Sequence, residues 1–264
     1  MWPTLISFGP ISLHSFGVLV FLGLFFGGFK LWQRAKEEGW DEAAVMDSWL
    51  FAAVSSLIVG RLGFIFNYWG EFGGSVYKMI FLTKFPGLSA EGAWLGAAAA
   101  LLILALKKRF DFWHFIEAAV PALLIVEIFS RLGSFLAGTN LGKAAPAGLG
   151  LTFPGIDQPR WPVQLLWALA LGLIYLLINY WEKHYRSFSW AKEGFLAAVY
   201  LILLGGLKIC LGFLEESSAF GGWWGAGLSL AGGLILIFRS GITIKAPAVK
   251  AKEPKRKKGG FDYV

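Results

Sequence analysis

Seven apolar runs of about 20 residues each, near positions 13–33, 45–66, 90–106, 113–137, 163–181, 191–212 and 224–239, constrain this chain more than any other feature. Each is of a length that crosses roughly 30 Å of hydrocarbon as a helix. In hydrocarbon every backbone polar group must be satisfied within the segment, so helices are the expected element. With 264 residues, 56% hydrophobic, 16% charged and a mean hydropathy of +0.61, the composition excludes an ordinary soluble domain. The predicted fold class is all-α: a polytopic membrane protein of about seven transmembrane helices, forming one domain over 1–244. Pro121 predicts a kink in the fourth span.

The basic residues set the expected orientation. Seventeen of the 24 Lys and Arg follow the first, third, fifth and seventh spans, among them Lys30, Arg34, Lys107, Arg109, Lys183 and the run from Arg239 onward. The alternate connections carry Lys78, Lys84, Lys143 and Arg160. By the positive-inside rule the N-terminus is outside and the C-terminus cytoplasmic, which requires an odd number of crossings and agrees with seven. The outer connections then include a segment over 70–89, with an apolar centre too short to span, and a Gly/Pro-rich loop over 138–162. The stretch 245–264 reads as a basic, solvated cytoplasmic tail. Because the net charge of +7 sits beside apolar runs, an anionic membrane surface is expected as its partner and nucleic acid is not. Cys210 is the only cysteine, so no internal disulfide forms; no metal-ligand spacing or phosphate loop is visible either. The start of the chain lacks a basic stretch before its first apolar run, so that run is expected to remain as a helix.

Three cations fall inside the spans. Arg61, Arg131 and Lys208 lie on the second, fourth and sixth, all within a turn or two of the expected outer end. Intramembrane charges usually face the bundle interior, pair or serve a ligand; near the interface they also snorkel outward. Glu91 and His14 open the third and first spans at the same level, and Glu127 stands four residues before Arg131, the spacing of a helical ion pair. Arg-Leu-Gly recurs at 61–63 and 131–133. A cluster of two Arg and one Lys suits the phosphate of an anionic phospholipid, with bidentate Arg contacts and Lys as a point charge. A carboxylate beside it either acts as general base or neutralises the arginines. His114 and His184 fall on the cytoplasmic side, where a solvated role is expected, and Trp40, Trp69, Trp113, Trp161, Trp181, Trp190, Trp223 and Trp224 read as an interfacial belt.

Six stretches in order, "FGPISLHSFG" (8–17), "VGRLGFIFNYW" (59–69), "GLSAEGAWLG" (87–96), "SRLGSFLAGTNLG" (130–142), "RWPVQLLWA" (160–168) and "YLILLGGLKICLGFLEE" (200–216), resemble the bacterial prolipoprotein diacylglyceryl transferase family. The resemblance implies a multi-pass protein of the bacterial plasma membrane. Such a protein moves the diacylglyceryl group of phosphatidylglycerol onto the thiol of the lipobox cysteine in a preprolipoprotein, at the outer leaflet and without a cofactor, and releases glycerol phosphate. It also implies a phospholipid-handling role for Arg131, which matches the arginine of the family signature together with Gly133, Phe135, Gly138 and Gly142; Arg61 matches the second-span arginine. Arg160, Pro162 and Gln164 match the stretch before the fifth span.

The chain departs from the family pattern elsewhere. Glu91 stands at the place of the family's histidine, Phe16 and Leu204 at those of tyrosines, and Ser134, Ala137 and Thr139 at those of two asparagines and a glutamate. Lys208 replaces an arginine and Gly212 a glutamate. The expected site therefore has Glu91 and Arg131 as catalytic residues. Arg61, Arg131, Lys208, Gly133, Ser134, Gly138 and Gly142 are expected around the phosphate, with His14, Glu127, Asn140, Arg160 and Gln164 in support. Two outcomes stay open: a transferase in which Glu91 takes the thiol proton, or a protein that binds anionic phospholipid or lipoprotein without turnover. Transport is disfavoured, since no pair of broken helices or inverted repeat is visible.

Overall fold

The structure is a computed structural model describing residues 2–8, 11–81, 85, 87–106, 111–146, 148–184, 193–216 and 221–239. Lys84, Lys107, Lys108, Arg109, Arg186, Trp190, Lys192 and the tail 245–264, all used in the expectations above, lie outside the described residues. Each of the seven apolar runs is a helix: α1 Ser15–Glu37, α2 Glu42–Asn67, α5 Ala90–Leu106, α6 Phe112–Ala137, α7 Val163–His184, α8 Phe195–Gly212 and α9 Gly221–Arg239. Five of these are long and apolar enough to cross a membrane, and the apolar parts of α5 and α9, Ala90–Leu104 and Gly225–Phe238, are shorter. α6 continues through Pro121. Between α2 and α5 the 70–89 segment forms two short helices, α3 Trp69–Phe72 and α4 Val76–Ile80, which leave Val76, Tyr77, Ile80 and Phe81 exposed.

α6 is the central element because both of its faces are apolar. One face meets α1 and α2 through Phe115, Ala118, Ala119 and Ala122, packed with Leu31, Ala35, Val45 and Trp49. The other meets α7 and α8 through Val120 and Leu124, packed with Trp167, Leu171, Ile178, Leu196 and Tyr200. α5 packs on α2, and α9 on α8, where Gly205 lies against Gly225 and Ser229. Large apolar side chains cover the outside instead: Phe21, Phe25, Leu50, Leu57, Leu169, Leu173 and Leu234 are all exposed. A surface of that kind has lipid as its natural solvent.

At the Arg34 end, side-chain caps start the helices. Asp41 accepts from the amides of Ala43 and Ala44 to open α2, and Asp111 from those of Trp113 and His114 to open α6. Buried Glu117 of α6 accepts from the amides of Gly194 and Leu196, both at 3.0 Å, and so caps α8 from a neighbouring helix. Arg34 pairs with Glu38 at 2.8 Å and Glu182 at 3.4 Å, tying α1 to α7. His114, expected to be solvated, stands between Glu38 and Glu193 with its ring edge-on to Trp40. His184 is exposed, as expected, and its Nδ1 lies 2.8 Å from the carbonyl of Tyr180.

One element has no counterpart in the sequence reading. β1 Thr4–Phe8 and β2 Ile11–His14 form an antiparallel hairpin ahead of α1. Ser15 is fully buried at its base, donating its hydroxyl to the carbonyl of Trp2 at 2.6 Å and its amide to that of Pro3 at 3.1 Å.

Candidate functional site

The end of α6 sets the first side chain. Gly138 stops the helix at φ 69°, and the amides of Gly138 and Thr139 return to the carbonyls of Phe135 and Ser134. Arg131, two turns earlier, turns toward α7: its Nη1 donates to Gln164 Oε1 at 3.3 Å, and its Cζ lies 4.3 Å from the ring centroid of Trp167. Lys208 of α8 reaches the same ring, its Nζ 5.6 Å from the centroid. Trp167 is 1% exposed. Its Nε1–H donates to Glu215 Oε1 at 2.9 Å, while Glu215 Oε2 accepts from Lys208 at 3.3 Å. Two cations from separate helices thus share one buried indole.

Two like charges held against one ring repel each other. The ring's negative face offsets part of this, by about 1 kcal/mol for each partly buried cation. Carboxylates supply the remainder: Glu215 pairs with Lys208, and Glu127 lies within the electrostatic reach of both Arg131 and Lys208. Glu127 Oε2 accepts the phenol proton of Tyr200 at 3.2 Å, so its hydrogen bond goes across to α8. The expected i,i+4 pair with Arg131 is replaced by this cross-helix bond, because Arg131 is drawn off by Gln164 and Trp167.

The 138–162 loop fastens to the same cluster. Gln164, 4% exposed, holds Arg131 through its carbonyl oxygen and donates its amide to the carbonyl of Asn140 at 2.9 Å. Asn140 sits at φ 54°, a left-handed conformation that its short polar side chain tolerates. Gly142 bridges to Glu215, and a Cβ on it would come within 2.5 Å of the Trp161 carbonyl, so the close approach requires glycine. Lys143 donates its amide to Leu214 and its Nζ to the carbonyl of Phe213. Arg160 bridges Ala144 and Leu151 through its backbone, and its guanidinium joins the Gly142 carbonyl and Glu216.

Several expected site residues have other work. Arg61 is 6% exposed and does not share the indole: Nε, Nη1 and Nη2 donate to the carbonyls of Met79, Gly87 and Lys78 at 2.9, 2.9 and 2.8 Å. Phe64 and Phe72 flank its charge. The expected three-cation cluster is therefore two cations plus a staple for the 70–89 segment. Glu91 lies with Arg61 on the α2–α5 side, exposed in the first turn of α5, its Oε2 accepting from Ser89 at 2.9 Å. Ser89 donates its amide to Gly60. Gly133 is where α6 meets α1, since a Cβ would stand 3.1 Å from Phe16 Cα. Ser134 is buried and its carbonyl holds Thr139, and His14 is exposed beside Thr4 in the hairpin. Among the described residues no group of His, Cys, Asp or Glu is arranged to hold a metal.

Sequence reasoning passed over Trp167, Tyr200 and Glu215. Trp167 had a readable signal, lying three residues past Gln164 and so on the same face of α7. Glu215 and Tyr200 had none, because their partners are set by helix packing.

The arrangement can bind and orient an anion where α6, α7 and α8 meet beneath the 138–162 loop. A family described as prolipoprotein diacylglyceryl transferase matches residues 3–238. The chain is 27% identical over 251 residues to the phosphatidylglycerol–prolipoprotein diacylglyceryl transferase of Francisella tularensis subsp. holarctica (strain FTNF002-00 / FTA), covering 81% of this chain and 94% of the relative. It is 26% identical over 239 residues to the protein of that name from Methylobacillus flagellatus, covering 86% and 88%. With a match running from the N-terminal hairpin to α9, this chain belongs to the prolipoprotein diacylglyceryl transferase family.

Proposed function

We propose that this protein transfers the diacylglyceryl group of phosphatidylglycerol to the cysteine thiol of a prolipoprotein, at the outer leaflet of a bacterial plasma membrane. The observation that carries the reading is the pair Arg131 and Lys208, brought from α6 and α8 over Trp167. The lipid phosphate lies against these two charges. Arg131 offers N–H groups beyond the one given to Gln164, and Lys208 adds a point charge.

The thiol of the lipobox cysteine loses its proton to a carboxylate. Its sulfur then forms a bond to the glycerol carbon of the diacylglyceryl group, and the bond from that carbon to the phosphate oxygen breaks. The electron pair leaves on glycerol phosphate, where Arg131 and Lys208 stabilise the developing charge. We assign the proton to Glu127 rather than Glu91. Glu127 is the carboxylate in the field of both cations, and its Oε1 stands outside the bond to Tyr200, whereas Glu91 is engaged by Ser89 on the α2–α5 side.

The test is release of glycerol phosphate from labelled phosphatidylglycerol with a lipobox peptide. Arg131→Ala is expected to lower turnover about 100-fold, the usual effect of removing one charge-stabilising donor. Glu127→Gln is expected to lose activity and Glu91→Gln to retain most of it; the opposite result returns the base to Glu91. A parent protein that binds phosphatidylglycerol but releases no glycerol phosphate overturns the transferase reading.

A further inference from the structure

We propose that Trp167 and Glu215 form a positioning pair that fixes Lys208 for the headgroup phosphate, substituting for the directional fork that a lysine lacks. This inference rests on the function proposed above and names how that site orients its lipid.

An ammonium is a compact charge on a flexible four-carbon stem, so nothing in Lys208 itself fixes where its charge sits. Near the end of a membrane helix such a side chain ordinarily turns outward to the headgroups. Lys208 does not: its ammonium is bound on one side by Glu215 Oε2 and faced on another by the Trp167 ring. Glu215 in turn is oriented by the indole N–H, which holds its other oxygen at 2.9 Å. The three groups close a triangle of ring face, carboxylate and ammonium, with a buried residue at its base.

Arg131 is placed against the same ring. One indole thus sets the separation of the two charges that meet the phosphate, although they come from different helices. The acceptor that satisfies the buried indole N–H is the same carboxylate that binds Lys208, so the place of the ring and the place of the ammonium are coupled.

The experiment is a double-mutant cycle on the purified full-length protein, reading kcat and KM for phosphatidylglycerol and, separately, calorimetric binding of dihexanoyl-phosphatidylglycerol. Trp167→Phe keeps an aromatic face and removes the N–H donor. It is expected to lower kcat/KM for phosphatidylglycerol about 5-fold, one hydrogen bond's worth, and to weaken binding of the short-chain lipid, since Lys208 meets the phosphate in the bound lipid and in the transition state alike. Glu215→Gln, which keeps an acceptor for the indole but loses the ion pair, is expected to do the same, and provides the reading if Trp167→Phe does not fold.

Lys208→Arg is the rescue. A guanidinium brings its own planar fork, so in that background either substitution is expected to change kcat/KM less than about twofold. Equal losses in the parent and in the Lys208→Arg background, or no effect at all, would overturn the proposal. If the parent binds the short-chain lipid but does not turn it over, the transferase reading fails while the binding arm still decides the positioning role.

Discussion

A guanidinium carries five N–H donors, and what takes them decides whether it can meet a ligand. Arg61 and Arg131 stand in the same Arg-Leu-Gly context and look alike in sequence, yet all three nitrogens of Arg61 are engaged by backbone carbonyls of the 70–89 segment, while Arg131 gives one nitrogen to a glutamine and faces a ring. Arg61→Lys is therefore expected to cost about 1 kcal/mol or more by leaving part-buried carbonyls without their donors, read as a lower unfolding midpoint in detergent and faster protease cleavage within 70–89. KM for phosphatidylglycerol should move less than about twofold; a 10-fold rise would put Arg61 back at the phosphate. The sequence marked both arginines as buried charges and had no means of telling them apart, because carbonyl acceptors belong to backbone geometry and leave no residue signature. The same limit hid Glu215, whose value lies in an indole contributed by another helix.

The helices were legible as elements because each is written as an uninterrupted apolar run, and the expected 90–106 and 113–137 differ from α5 and α6 by no more than a residue. The N-terminal hairpin was not. Its alternating apolar residues merge with the run that becomes α1, and only the buried hydroxyl of Ser15 marks the boundary. Glu117 is another case: a carboxylate that caps a helix other than its own leaves no N-cap pattern in sequence. Glu117→Ala deprives two amides at the start of α8 of their acceptor and is expected to destabilise the protein by roughly 2–4 kcal/mol. Thermal unfolding of the variant checks this, and a shift no larger than that of an exposed control such as Glu71→Ala would show the cap to be dispensable.

For the whole molecule, seven crossings would put the termini on opposite sides of the membrane, and the charge bias of the sequence predicts the Arg34 end in the cytoplasm. Cysteine labelling in a Cys210→Ser background tests it at two exposed positions. Asp157→Cys, in the outer loop, is expected to react with an impermeant maleimide in intact cells, and Lys36→Cys, at the end of α1, only after lysis; the reverse pattern inverts the topology.

Arg131 and Lys208 belong to different helices, yet each is tethered to the polypeptide between Ala137 and Val163: the first by way of Gln164 and the Asn140 carbonyl, the second by way of Glu215 and Gly142. Displacing that strip would disturb the partners of both charges at once. Whatever grips the strip from above, an arriving polypeptide included, acts on the partners of both cations together.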